Sequence, residues 1–135
     1  MVNSRLFLLI LLTTFMCHKE DKILPNPEFA TPQKTIMTYW RYLNARDYKN
    51  ALSCFVDFNE TNFDSTSIFK IPPGIESLAV DTFLSCKNFG KKEAILTYRV
   101  KFYSQRNQTW KSFTTGDRLI LTPGGWKIKD VITHR

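Results

Sequence analysis

The sequence is poor in the residue types from which most catalytic and metal sites are built. It has two histidines in 135 residues. His18 lies in a charged stretch near the start, and His134 is next to last. Neither is placed to enter a core, which argues against histidine acid–base chemistry and a Ser-His-Asp arrangement. There are three cysteines, and no C-x-x-C spacing among them gives a zinc pattern. The five glycines form no phosphate-cradling loop. No apolar run reaches the ~20 residues of a membrane-spanning helix. Acids are fewer than bases, 12 against 19, so the formal charge is +7. That balance either favours anionic surroundings, such as lipid headgroups or polyanionic glycans, or simply keeps the chain soluble.

What is present begins with a leader. A short start carrying Arg5 precedes an apolar stretch from Leu6 to Met16, and Cys17 follows at once, before His18-Lys19-Glu20-Asp21-Lys22. A positive start and a short apolar core make a secretory signal. The segment resembles a bacterial lipoprotein signal, although Met16 stands where a small residue is usual. The resemblance implies that Cys17 is acylated and becomes the mature N-terminus. The chain is then exported and anchored on the periplasmic or outer surface, where nucleic acid is not an expected partner. Residues 18–30, with Pro25 and Pro27, read as a tether. Residues 31–135 read as one domain. Cys54 and Cys86 are then left to pair. They form either one disulfide or two thiols acting as small hydrophobes.

Within the domain, Thr31-Pro32 is a helix start, with a capping residue followed by proline where no N–H is needed. Ile36, Trp40 and Leu43, with Tyr39 alongside, form an apolar stripe at helical spacing. Asp47 caps a second, shorter helix. Residues 56–76 exceed an idle loop and read as a lid or a third helix. Alternating strands follow. In the first, Leu78, Val80, Leu84 and Cys86 share one parity. In the second, Ala94, Leu96, Tyr98, Val100 and Phe102 do. A third strand runs from Trp110 to Thr122, and a turn at Pro123-Gly124-Gly125 returns a fourth that carries Trp126 and Ile128. The expected fold is α+β, with N-terminal helices packed in the concave face of a curved antiparallel sheet of about four strands.

This order, with Tyr39-Trp40-Arg41-Tyr42-Leu43-Asn44 and the closing Gly124-Gly125-Trp126-Lys127-Ile128-Lys129-Asp130-Val131, resembles the nuclear transport factor 2-like superfamily. The resemblance implies a cone with any site inside it, between sheet and helices. That scaffold hosts both enzymes and binding modules, so it does not settle activity. Relatives similar to scytalone dehydratase use an interior histidine, which His18 and His134 cannot supply. Relatives similar to limonene epoxide hydrolase use Arg-x-Asp on a strand, where Arg99-Val100-Lys101 lacks the acid. Relatives similar to ketosteroid isomerase pair a carboxylate with a tyrosine.

The candidate ligand pocket is Tyr39, Trp40, Tyr98, Asp117, Trp126 and Asp130. An unbroken last strand aims Asp130 inward, whereas a bulge there turns it out. On the opposite parity, Arg99, Lys101, Arg118, Lys127 and Lys129 form a basic stripe suited to an anionic surface. The expectation is a non-enzymatic module that binds a small apolar ligand or a protein, needs no cofactor or metal, and has its outer sheet face open to homodimerisation. The alternative is a lyase or isomerase using a carboxylate and a tyrosine.

Overall fold

The computed structural model describes residues 26–58 and 70–132. The leader, Cys17, His18, most of the expected tether, His134 and residues 59–69 of the lid-or-helix stretch 56–76 lie outside the described residues. Helix α1 spans Pro32–Asn44 and α2 spans Tyr48–Leu52. They pack against one face of an open sheet of β1 (Ile75–Phe89), β2 (Glu93–Ser104), β3 (Thr109–Thr122) and β4 (Gly125–Ile132). The strands are antiparallel and stand in sequence order. The expected α+β architecture is therefore present.

The local chemistry behaves as the sequence dictates. Thr31 Oγ1 accepts from Lys34 N at 3.2 Å, and Asp47 Oδ1 accepts from Asn50 N at 3.3 Å, so each helix starts on its expected cap. The stripe of α1 is buried, with Ile36 and Leu43 fully inaccessible and Tyr39 and Trp40 nearly so. It meets Ala94, Leu96, Tyr98 and Val100 of β2, Leu119 of β3 and Ile128 of β4.

The expected tether ends earlier than residue 30. From Asn26 the chain is already docked. A 3-10 helix covers Pro27–Phe29 and buries Phe29 against the fold. Phe29 seats on Gly125, where the backbone has φ +111° and an added Cβ would stand 2.7 Å from both Phe29 Cβ and Phe29 O. Gly125→Ala is therefore expected to cost about 2 kcal/mol or more, combining a strained φ with a clash against backbone. Gly90, with φ +65° and nothing within 4 Å, isolates the strain alone. Urea unfolding of the two alanine variants separates the contributions, and equal losses would mean that Phe29 does not seat as described.

Strand β1 departs from the expected alternation. Its register against β2 shifts between Glu76 and Ala79, between Val80 and Thr82, and between Phe83 and Ser85. Each bulge inverts the parity downstream. Phe83 thus faces Tyr98, while Leu84, expected inward beside Leu78 and Val80, is exposed. The third shift restores the parity, so Cys86 stands across from Leu96 as expected, yet it too is exposed. At the first bulge Asn44 Oδ1 accepts from Leu78 N at 2.8 Å, tying the end of α1 to the strand. At the opposite edge Cys54–Val56 lies parallel to β4, with Ile128 N donating to Cys54 O and Val56 N to Ile128 O.

Candidate functional site

Three buried polar side chains meet at the centre of the helix–sheet interface. Even parity on β2 turns Tyr98 toward α1, and odd parity on β3 turns Asp117 to the same side. Trp40 comes from the apolar stripe of α1. Its indole Nε1 donates to Tyr98 Oη at 2.9 Å, and Tyr98 Oη in turn donates to Asp117 Oδ2. Tyr98 is 1% exposed and Asp117 2%. Tyr39 stacks edge-on against Trp40 at 5.6 Å and against Phe55 at 5.5 Å.

The electrostatics follow from burial. Loss of hydration raises the Asp117 carboxyl from its ordinary 3.8 to about 6, and the Tyr98 hydroxyl offsets only part of that rise. Burial first, and the Asp117 charge second, push both Tyr39 and Tyr98 far above the ordinary tyrosine range. Both phenols therefore stay protonated, and that of Tyr98 is the donor to Asp117.

Two cavities adjoin this cluster. One is an apolar chamber of about 230 Å³ lined by Trp40, Ile71, Ile75, Leu78, Phe102 and Phe113. The other is a groove of about 470 Å³ between α1 and β1, reached by Glu28, Lys34, Met37, Arg41 and Asn44. Trp40 and Leu78 line both. Tyr98 and Asp117 line neither, because Trp40 stands in front of them.

Of the expected pocket residues, the fold brings together Tyr39, Trp40, Tyr98 and Asp117. Trp126 lies at the margin, where its carbonyl accepts from Thr35 Oγ1 at 2.8 Å. Asp130 does not enter. The β3–β4 register shifts between Arg118 and Leu119, Lys129 becomes the extra residue, and Asp130 pairs across from Arg118 on the outer face. There its side chain is 58% exposed.

Two of the five residues of the basic stripe, Arg99 and Arg118, are ion-paired. Arg99 pairs with Asp81 at 3.0 Å, and Arg118 with Glu93 at 2.5 Å and Asp130 at 3.9 Å. Lys101 lies over the Trp110 ring at 4.7 Å. Lys127 leaves the stripe altogether. Its amine donates to Ser53 O at 2.8 Å and sits 3.4 Å from the Phe29 ring centroid, and burial lowers its pKa. Lys129 remains exposed.

Cys54 and Cys86 are both free thiols, and only Cys54 is buried as the small-hydrophobe alternative expected of the two. Cys54 is buried beside β4, and burial pushes its pKa up to about 12, while Cys86 is exposed on β1 at the other edge. Among the described residues, no group of three His, Cys, Asp or Glu side chains is placed to hold a metal ion.

Sequence reasoning missed the chamber's far wall. Phe113 has the parity of Asp117 and Leu119, which was signal enough. Ile71 and Ile75 flank a Pro-Pro-Gly break and carried none. The sequence matches neither any protein-family model nor any curated protein searched.

Proposed function

We propose that the chain is an exported module, held at a membrane by acylation of Cys17, that binds a small apolar ligand without transforming it. The observation that carries the reading is the apolar chamber beside Trp40. Space of about 230 Å³ walled by Trp, Phe, Ile, Leu and Pro presents no polar group to hold water among the described residues. Dry cavities of about 150 Å³ already bind benzene. The fold class agrees with the resemblance to nuclear transport factor 2-like modules, and the leader supports the anchor.

Native mass spectrometry of the protein purified from its source reads both parts. The expected species starts at Cys17, carries an acyl mass and retains a small molecule that departs on collisional activation. An unacylated chain removes the anchor. A chain with no retained molecule, which also fails to bind added naphthalene, removes the ligand site.

A second reading is favoured by the meeting of Asp117 with Tyr98, namely a lyase or isomerase in which the carboxylate is the base and the tyrosine a donor. A base must come within hydrogen-bond reach of its substrate. At 2% exposure and behind Trp40, Asp117 reaches a ligand only if the indole swings aside. That geometry is why binding without chemistry is preferred. The outer sheet face, with Trp110 and Phe89 half-exposed, remains the surface for a protein partner or a second copy.

A further inference from the structure

We propose that the chamber and the groove form one site for a free single-chain amphiphile with an anionic head, the tail in the chamber and the head beside Lys34. This rests on the reading of the chamber as a ligand site. Three observations lead to it. First, Trp40 and Leu78 line both cavities, so the two share a wall. Second, the chamber alone, at about 230 Å³, falls below the ~300–1,000 Å³ of ordinary ligand sites, and the adjoining 470 Å³ of groove brings the pair into that range.

Third, the two cavities differ in chemistry in the way an amphiphile does. The chamber is apolar at every described lining residue. The groove carries Lys34, Thr38, Arg41 and Asn44 on one side of α1, with Met37 55% exposed among them.

The sign of the head follows from which charges are already engaged. Arg41 Nη2 donates to Glu28 Oε1 at 2.7 Å, and Tyr42 Oη donates to Glu28 Oε2 at 3.4 Å. The acid of the groove is therefore satisfied and does not call for a cationic head. Lys34 forms no ion pair among the described residues and is exposed at the groove. The formal charge of +7 adds a long-range bias toward anions. A carboxylate head gains a charge-assisted bond from Lys34, while the tail displaces nothing polar.

The test titrates the full chain at pH 8 and low salt with decanoate, with decanol and with naphthalene. Decanoate is expected to bind about 1.5-fold to fivefold more tightly than decanol, the range of an exposed ion pair. Lys34→Gln is expected to erase that difference and to leave decanol and naphthalene unchanged. Equal binding of decanoate and decanol, insensitive to Lys34→Gln, overturns the anionic head while leaving the chamber as an apolar site. Naphthalene binding that neither alkyl chain competes away separates groove from chamber and overturns the single site. If none of the three binds, both this inference and the chamber's ligand role fall.

Discussion

Trp40→Ala is expected to destabilise the fold by about 3–5 kcal/mol, the range for deleting a buried aromatic side chain. Trp40 is 6% exposed and packs edge-on against Tyr39, Tyr98 and Phe113. Its removal also strips Tyr98 Oη of the indole N–H. Domains of this size hold about 5–15 kcal/mol in total, so the variant would be marginal, with Tm lowered by roughly 15–30 °C. Trp40→Phe separates the causes. It keeps most of the ring and loses the N–H, and should cost about 1–2 kcal/mol. Tyr98→Phe leaves Trp40 N–H and the Asp117 carboxylate both without their partner, and should cost more than Trp40→Phe. Thermal and urea unfolding of the three variants check the order. A Trp40→Ala loss below about 1 kcal/mol would mean the indole is not a packed part of the core.

Asp117→Asn is expected to stabilise the protein at pH 8 and to leave it nearly unchanged at pH 4. The carboxyl titrates near 6 when folded and near 3.8 when unfolded. Between those values the folded chain binds the additional proton, so stability falls as pH rises through that window and then levels off. The full fall is about 3 kcal/mol, since each pH unit of difference is worth about 1.4 kcal/mol. Asparagine cannot ionise, yet its carbonyl still accepts from Tyr98. Part of the gain is lost with the charge-assisted bond, which leaves about 1–3 kcal/mol at pH 8. Urea midpoints for both proteins from pH 3.5 to 8 measure it. Equal slopes would show that Asp117 is hydrated, and the buried cluster would then be wrong.

The architecture was legible because its signals were local and redundant. Thr31-Pro32, Asp47, the alternation from Ala94 to Phe102 and the Pro-Gly-Gly turn each depend on a few neighbouring residues. The site was legible in half. Parity alone aimed Tyr98 and Asp117 to one side, but that Trp40 would reach Tyr98 depends on how α1 sits on the sheet, which no spacing encodes. The failures share one cause. Face assignment by alternation assumes an unbroken ladder, and each single-residue insertion in β1 and at Lys129 inverts the parity until the next one. Leu84 was misplaced in this way, while Asp130 follows the bulge that was the alternative to its inward placement. The outer basic residues failed for a different reason. Charge counted along one strand ignores the acids that neighbouring strands bring alongside, and here Asp81, Glu93 and Asp130 answer Arg99 and Arg118.

The two margins of the sheet bear on how the molecule behaves when crowded. A flat outermost strand offers unpaired amides and carbonyls as a template for another chain, which is how fibrils grow. Here the β4 margin is already occupied by Cys54–Val56, and the β1 margin is kinked three times, so its amides do not present an even row. Both margins therefore resist edge-to-edge pairing between copies at high concentration.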